Sequence, residues 1–349
     1  MKTDIASLNF DSLSAFVAEN GLPKYRTEQL FRWISRGVLS FDEMTDISKD
    51  LRAKLSQIAT LPVLKIEKKL VSSDGTVKFL FTLEDGEHVE TVVMKYEHGN
   101  SVCISSQVGC RMNCAFCASS LKGLQRSLTA GEMLAQVAVA NRECNVSSLV
   151  VMGIGEPMDN YENILTFLEN LSDPRGLAMS LRHVSVSTCG IVPKINDLAE
   201  KKLQLTLSVS LHAPDDETRN KIMPVNRKWN VKTLIEACNN YIEKTGRRIS
   251  FEYTLIKGVN DSVRHAETLA KLLRGMLAHV NLIPVNYVME RGFEPSSPES
   301  IRRFYDTLKA KGINVTVRST LGSDINAACG QLRLKTEGGE YNGFDFKFK

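Results

Sequence analysis

The sequence contains no uninterrupted apolar run that approaches the roughly 18 residues of a membrane-spanning helix. Its first six residues lack the basic segment and the apolar run of a secretory signal peptide. A strong charge imbalance is also missing, because the net charge is only +4, which permits a polyanionic partner without requiring one. These absences predict a cytoplasmic protein without a membrane segment.

Eight cysteines in a chain without a secretion signal point to a reducing compartment, where thiols bind metals or act as catalysts. Three of them, Cys110, Cys114 and Cys117, have the spacing C-x3-C-x2-C, and no fourth cysteine lies nearby to complete the set. Three thiolates at this spacing can hold three corners of a [4Fe–4S] cluster and leave one iron open to a small chelating ligand. A zinc knuckle normally has four ligands, and disulfides are disfavoured in the cytosol, so both alternatives fit less well.

With the aromatic Phe116 before its third cysteine, this motif resembles the signature of the radical S-adenosylmethionine (SAM) enzymes. The resemblance implies that SAM chelates the open iron through its amine and its carboxylate. It also implies that one electron from the cluster splits SAM into methionine and a 5′-deoxyadenosyl radical. The expected cofactors are therefore a [4Fe–4S] cluster and SAM.

The pattern of apolar residues changes near residue 100. Before it, helical periodicity predicts an N-terminal helical accessory domain over 1–60, and alternating runs predict a small β linker over 61–98. After it, strands alternate with amphipathic helices in a core that occupies 99–349 together with a C-terminal extension. Strands are predicted at 102–105, 148–152, 183–187, 205–211, 249–255, 279–285 and 315–319, and helices at 130–141, 161–171, 193–201, 231–244, 263–275 and 298–311.

This alternation predicts an α/β fold with about six βα units on a parallel sheet. A doubly wound sheet and a partial (βα)6 barrel produce the same order of elements. The cysteine motif directly after the first strand favours the barrel, because loops at the carboxyl ends of barrel strands carry the chemistry. We therefore expect a partial radical SAM barrel with an N-terminal accessory domain and a C-terminal loop that carries a catalytic cysteine.

Unusual polar residues stand at the ends of four predicted strands and would meet at one rim of the barrel. Each has an ordinary structural explanation by itself, and a lone histidine such as His212 is more often structural than a ligand. SAM, however, presents an ammonium, a carboxylate, a ribose diol and an adenine edge, which need partners from several loops. Glu156 suits the ammonium, whereas Ser187, Ser210 and Asn286 suit the carboxylate, the ribose or the surroundings of the sulfonium.

Four segments together resemble the RlmN/Cfr family of radical SAM enzymes, which methylate an adenine ring carbon in RNA: 103–107, 153–157, 210–214 and 324–332. The resemblance covers nearly the whole chain. The residues at 155–157 and 281–286 are similar to those of the RlmN branch, which methylates carbon 2. Methylation of carbon 8, as in the Cfr branch, is the alternative. The resemblance implies SAM contacts from Gly155, Glu156, Ser187, Ser210, Leu211, His212 and Asn286.

The same resemblance implies a methyl-carrier mechanism, because an adenine C–H carbon is too weak a nucleophile to attack SAM directly. Cys329 takes the methyl group of one SAM, and the radical from a second SAM removes a hydrogen from it, so that the methylene radical adds to the base. Cys103 then releases the product by forming a disulfide with Cys329, which requires Cα atoms under roughly 7 Å apart. Glu90 is implied as the proton acceptor near the substrate.

The substrates implied by the family are an adenine in the peptidyl-transferase centre of 23S rRNA and adenine 37 of tRNAs, with a flavodoxin-type electron donor and a monomeric enzyme. A base in folded RNA must be extruded to reach a barrel pocket, so a basic surface around the pocket is expected. Although any single charge is more simply a solvated one, the candidates as a set are Arg26, Arg32, Arg36, Lys122, Arg126, Arg219, Lys221, Arg227, Lys228 and Arg318.

Two other functions fit the cysteine motif. One is a radical SAM enzyme acting on a small molecule or a peptide, which has no need of Cys103 or Cys329. The other is a non-catalytic RNA-binding protein whose cluster only stabilises the fold.

Overall fold

The N-terminal part of the chain folds into three helices. The computed structural model of the protein describes residues 2–332, and these helices are α1 (Phe10–Glu19), α2 (Tyr25–Ser35) and α3 (Lys49–Ile58). Asn9 and Ser48 cap α1 and α3, because each side chain accepts a hydrogen bond from a backbone N–H of the first turn. A short parallel pair, β1 (Thr3–Asp4) with β2 (Ala59–Thr60), joins the two ends of this segment.

A ten-stranded sheet forms the centre of the molecule. The remaining strands are β3 (Lys65–Val71), β4 (Val77–Thr82), β5 (His88–Tyr96), β6 (Gly99–Cys103), β7 (Gln107–Gly109), β8 (Leu124–Ser127), β9 (Val146–Val151), β10 (Val184–Thr188), β11 (Thr206–Ser210), β12 (Ile249–Leu255), β13 (Ala278–Pro284) and β14 (Val315–Val317). Strands β7 and β8 form a separate antiparallel pair. The large sheet has the order β14-β13-β12-β11-β10-β9-β6-β5-β4-β3, with parallel pairing from β6 to β14 and antiparallel pairing from β3 to β6.

The helices of the core follow the strands in alternation: α4 (Ala130–Cys144), α5 (Tyr161–Ser172), α6 (Val192–Lys201), α7 (Asp216–Ile222), α8 (Val231–Thr245), α9 (Val263–Leu272) and α10 (Pro298–Ala310). The predicted alternation of strands and helices is confirmed, with differences of a few residues at the ends. The sequence did not predict α7, β7 or β8, because such short elements carry too few residues to reveal a period. Within residues 2–332, no helix combines the length and the apolar character needed to cross a membrane.

The β linker expected over 61–98 is continuous with the core sheet. Strands β3, β4 and β5 belong to the same ten-stranded sheet as the parallel strands, and β5 is hydrogen bonded directly to β6. The proposed division between 98 and 99 therefore falls inside one antiparallel pair.

Strand β12 shows how the fold creates a polar interior. All of its residues are buried, and successive side chains of a strand point to opposite faces of the sheet. Phe251 and Tyr253 belong to the main hydrophobic core. Glu252 and Thr254 alternate with them and line a cavity at the carboxyl ends of the parallel strands. This face of the sheet therefore carries the polar side chains of a candidate active site.

Candidate active site

The three motif cysteines line the cavity at the carboxyl ends of the strands. Cys110, Cys114 and Cys117 share this cavity with residues that follow β9, β10, β11, β13 and β14. The loop that carries them depends on Gly109, whose φ is +77° and whose Cα has Gly123 O so close that an added Cβ would lie 1.9 Å from that oxygen. Only glycine accommodates both constraints. The cysteine loop connects β7 to β8, and this close backbone contact between Gly109 and Gly123 holds its two ends together.

The chemistry of these thiols fits an iron–sulfur cluster. Burial is the main cause that raises the pKa of Cys110 to about 12 and that of Cys114 well above its ordinary value. A raised pKa favours the neutral thiol. Bound metal would reverse this preference, since a coordinating thiol is deprotonated by the positive charge of the ion. Among the described residues no three His, Cys, Asp or Glu side chains converge on a single ion. A cubane does not need such convergence, because each cysteine binds a different iron.

Glu156 lies deep in the same cavity, and its carboxylate joins two strand ends. Its Oε1 accepts a hydrogen bond from the N–H of Met158 at 3.1 Å, and its Oε2 accepts one from the N–H of Cys189 at 2.8 Å. Burial raises the pKa of this carboxyl group, and these hydrogen bonds oppose the shift. Each oxygen keeps a second lone pair, so the carboxylate can still accept from a bound ammonium.

Ser187, Ser210, His212 and Asn286 line this cavity as well, as the sequence predicted for the strand ends. His212 is held in place, since its Nδ1 accepts the N–H of Thr254 at 2.9 Å and its ring packs edge-on against Phe116. Burial, with the nearby charge of Arg219, lowers the pKa of His212 to about 3, so the ring is neutral at physiological pH. The side chain of Leu211 is fully buried in the hydrophobic core instead, which leaves only its backbone for a ligand.

A second cavity adjoins the first and contains Cys103. It is lined by Cys103, Val92 and Met94 on one side and by 319–321 and 327–329 on the other. Cys329 lines both cavities, together with Met152, Ile283, Asn286 and Arg318. Asn286 Nδ2 donates a hydrogen bond to the carbonyl of Cys329 at 2.9 Å. Both cysteines are free thiols, so the disulfide expected in the resolving step is absent from this state.

Comparison with known proteins identifies the fold and the family. A family model described as the radical SAM superfamily matches residues 104–272, and one described as the ribosomal RNA large subunit methyltransferase N-terminal domain matches residues 3–61. A probable dual-specificity RNA methyltransferase RlmN from Desulforamulus reducens is 52% identical over 340 residues, which cover 96% of this chain and 97% of that protein. The chain belongs to the RlmN family. A protein of the same name from Bacillus subtilis is 50% identical over 340 residues, or 96% of this chain and 94% of that protein.

A crystal structure of a radical SAM methyltransferase from Sphaerobacter thermophilus matches with a TM-score of 0.92 and 45% identity, covering 95% of this chain and 100% of that one. The resemblance to the RlmN/Cfr family and the radical SAM fold are thereby confirmed. The protein is a radical SAM RNA methyltransferase with a [4Fe–4S] cluster and SAM as cofactors. These matches favour the RlmN branch over the carbon-8 alternative.

One residue of this RlmN family member that sequence reasoning missed is Glu252. It is buried and lines the first cavity. Its Oε1 accepts hydrogen bonds from Ser250 Oγ at 3.0 Å and Asn281 Nδ2 at 3.2 Å, whereas its Oε2 is buried without a hydrogen bond among the described residues. An unsatisfied buried carboxylate oxygen is costly, and the hydroxyl and amino groups of SAM are donors that fit it. The alternation of apolar and polar residues along β12 is a sequence signal that could have identified Glu252 as a residue of the cavity.

Arg219 does not lie on the surface, contrary to its place among the RNA-contact candidates. Its guanidinium is fully buried and donates to the carbonyls of Leu211 at 3.0 Å and Cys189 at 2.7 Å. It therefore joins the ends of β10 and β11 from below the cavity. A cation inside a short polar helix gives no sequence signal for such a role.

Arg318, another of those candidates, is half-buried and lines both cavities. It is the only lysine or arginine among the described residues that lines either of them. The electrostatic interaction with Cys329 is the main cause that raises the pKa of Arg318. Burial raises the pKa of Cys103 to about 12, with a further rise from Cys329 and an opposing effect of Arg318.

Glu90 lies outside both cavities, with none of its surface exposed. Its carboxylate forms an ion pair with Lys78, with Nζ 2.5 Å from Oε1. Glu90 shares a face of β5 with Val92, which lines the cavity of Cys103. The expected proton acceptor is therefore next to this cavity, but it is paired with a buried lysine.

Gly155 provides a test of how the loop after β9 is positioned. Its φ is +108°, and an added Cβ would lie 2.6 Å from Cβ of Gln107, whose side-chain oxygen Oε1 accepts the N–H of Glu156 at 2.9 Å. Gly86 also has a positive φ, +81°, but an added Cβ meets nothing within 4 Å. We expect Gly155→Ala to lower the free energy of unfolding by about 1–3 kcal/mol more than Gly86→Ala, because only the former adds a steric clash. Urea denaturation of both variants measures the difference, and equal losses would contradict the prediction.

Proposed function

We propose that this enzyme methylates carbon 2 of adenine in 23S rRNA, at the peptidyl-transferase centre, and adenine 37 of tRNAs, with Cys329 as the methyl carrier. The observation that carries the proposal is that Cys329 lines both the cavity of the three motif cysteines and the cavity of Cys103. A thiol that first receives a methyl group and is later attacked by another thiol must reach two such sites. The names of the relatives, as dual-specificity RNA methyltransferases, support two kinds of RNA substrate.

In this proposal the three motif cysteines hold the cluster, and the strand-end residues bind SAM. Glu156 accepts from the ammonium, the hydroxyls of Ser187 and Ser210 and the amide of Asn286 meet the polar groups of SAM, and Gly155, Leu211 and His212 complete the set. Leu211 contributes through its backbone, because its side chain is buried. When bound, the cluster supplies one electron, and SAM supplies both the methyl group and the radical that removes a hydrogen.

Cys329 acts first, as a thiolate that forms a new S–C bond to the methyl group. The bond from that carbon to the sulfonium of SAM breaks, and S-adenosylhomocysteine leaves. Arg318 supports this step, because its guanidinium lines both cavities together with Cys329 and can attract the anionic sulfur that takes the methyl group. The hydrogen bond from Asn286 to the Cys329 carbonyl holds the loop at the boundary of the two cavities. After hydrogen removal, the carrier carbon on Cys329 bonds to carbon 2 of the adenine and links the enzyme to its RNA.

Cys103 then acts as the resolving thiol. Glu90 accepts the proton that leaves carbon 2, and the cluster, when bound, would take up the unpaired electron of the adduct. Cys103 attacks the sulfur of Cys329, the bond between that sulfur and the carrier carbon breaks, and the two cysteines form a disulfide. The released carbon takes up a proton and becomes the methyl group of the product. Both thiols face one small cavity, and Glu90 adjoins it on the same face of β5, which supports this order of steps.

Several basic residues, most of them exposed, support binding of an extruded base and its flanking RNA. Lys122 follows the cysteine loop, and Arg227 and Lys228 follow β11 on the same rim. On α2, Arg26 stacks on the ring of Tyr25, which is 61% exposed, and Arg36 stacks on Trp33. Arginine–aromatic pairs of this kind offer stacking surfaces and positive charge to single-stranded RNA. The proposal includes a flavodoxin-type electron donor, a monomeric enzyme and a cytoplasmic location, which rest on the family resemblance.

The proposal predicts the position of the methyl group on the base. Reconstituted enzyme should convert unmodified 23S rRNA fragments and tRNA to products that contain 2-methyladenosine when SAM and a reductant are supplied. Nucleoside mass spectrometry against synthetic 2-methyl and 8-methyl standards makes the measurement, with Cys329→Ala as the inactive control. Formation of 8-methyladenosine would exclude the RlmN-type reaction. Methylation of only one of the two RNAs would exclude the other RNA as a substrate.

A further inference from the structure

The Cys329 loop, residues 321–332, is fastened to the hairpin formed by β3 and β4. Asp74, in the turn of that hairpin, accepts the N–H of Gly322 with its Oδ2 at 2.8 Å. Asp324 in the loop accepts from Ser72 Oγ at 2.6 Å and from the N–H of Ser73 at 3.1 Å. The hairpin therefore serves as a platform for the loop, although it lies some 250 residues earlier in the chain.

Further along the loop, Lys78 of β4 reaches the backbone close to Cys329. Its Nζ donates a hydrogen bond to the carbonyl of Asn326 at 2.9 Å. The same ammonium is paired with Glu90 at 2.5 Å, and both side chains are buried, with 3% and 0% of their surfaces exposed. Buried lysines are rare unless they are paired. One ammonium thus connects the loop of Cys329 to the carboxylate of Glu90.

The other end of the loop is held by the cysteine loop. The N–H of Ala118 donates to the carbonyl of Gly330 at 2.8 Å, and Ser119 Oγ donates to that of Leu332 at 3.2 Å. Cys329 therefore lies between two attachments, one at Asn326 and one at Gly330. The Lys78 bond holds the backbone three residues before Cys329, whereas the attachments of Gly322 and Asp324 lie farther upstream.

We propose that Lys78 is a positioning residue for methyl transfer to Cys329. By binding the Asn326 carbonyl, its ammonium places the Cys329 sulfur at the boundary of the two cavities. Glu90 keeps that ammonium in place as its buried counter-charge. The inference rests on the proposed role of Cys329 and adds a function for a lysine that lines neither cavity.

The test compares Lys78→Met/Glu90→Gln with the wild-type enzyme, because either single variant would leave a buried charge without its partner. The double variant leaves no unpaired buried charge, and so avoids the folding defect expected when one partner of a buried pair is removed. Enzyme produced under iron limitation, with unmodified Cys329, is reconstituted and given SAM without RNA, and S-methylcysteine at Cys329 is followed by peptide mass spectrometry. We expect the double variant to form it about 10-fold to 100-fold more slowly than wild type, the range for loss of one charge-assisted hydrogen bond.

A second measurement does not depend on cofactors. Hydrogen–deuterium exchange should become faster in peptides covering 321–332 of the double variant and stay unchanged in α8 and α10. Lys78→Arg, which keeps the charge, should restore a large part of the methylation rate. Lys68→Met, at an exposed lysine of the neighbouring β3, should match wild type in both measurements.

Two outcomes are decisive for different claims. If the double variant methylates Cys329 as fast as wild type and its loop exchanges at the wild-type rate, Lys78 has no positioning role. If wild-type enzyme forms no S-methylcysteine, the proposed function fails, whereas the exchange measurement still decides whether Lys78 holds the loop.

Discussion

Cys103→Ala protein purified from cells should carry covalently bound RNA, whereas Cys329→Ala protein should carry none. The reason is the order of the proposed steps, in which Cys329 makes the bond to the base and Cys103 breaks it. Removal of the resolving thiol stops the reaction after the enzyme is linked to its substrate. Removal of the carrier stops it before any link exists. Methylation should fall to background in both variants.

The bound RNA is detected as excess absorbance near 260 nm that survives denaturation and disappears with ribonuclease. Cys238→Ala is the matched control, because Cys238 is buried like Cys103 but belongs to the main hydrophobic core and lines neither cavity. It should retain methylation and carry no RNA. A Cys103→Ala protein free of RNA, from an enzyme that methylates adenine normally, would show that the methyl-carrier mechanism is wrong.

Replacement of any one of the three motif cysteines by alanine should abolish the brown chromophore and all cleavage of SAM. Each of Cys110, Cys114 and Cys117 binds a separate iron in the proposed cluster, and the described residues offer no other cysteine in that loop to replace a lost ligand. Iron and sulfide analysis, with an assay for 5′-deoxyadenosine, measures both losses. Addition of SAM to wild-type enzyme should also change the electron paramagnetic resonance signal of the reduced cluster, because a ligand joins the open iron.

Cys144→Ala is the control for this prediction. Cys144 is half-buried, as are Cys114 and Cys117, but it ends α4 and does not line the cavity. It should keep a full cluster. A triple variant at the three motif positions that still binds a full cluster would overturn the assignment of the ligands.

Sequence periodicity was sufficient for the core because the signal is local. Strand β12 is predicted at 249–255 and observed as Ile249–Leu255, and α4, α5 and α8 begin at the predicted residues. In each case, a run of neighbouring residues records which face is buried. The motif cysteines are equally local, since their spacing within one loop carries the chemistry. The strand-end residues followed from a rule of topology, because the carboxyl ends of parallel strands meet at one rim.

Patterns of neighbouring residues could not predict contacts between segments that are distant in the sequence. In the sequence, Lys78 is an ordinary residue of an alternating strand, and Glu90 is implied only as a proton acceptor. Their buried ion pair depends on the register of β4 against β5. Arg219 reads as a surface charge of a polar stretch, yet the tertiary structure turns it inward to bind two strand ends. The residues that neighbour Lys78, Glu90 and Arg219 in the sequence do not indicate these partners.

The sequence by itself therefore determined the alternating βα core, the cysteine loop and the rim that faces it, because hydrophobic period and ligand spacing are properties of neighbouring residues. Only the tertiary structure decided that Cys329 lies between two cavities, that Arg318 accompanies it there, and that Lys78 connects its loop to Glu90. The physical reason is that burial and pairing of a charge depend on which distant segments pack together. That packing is set by the whole fold.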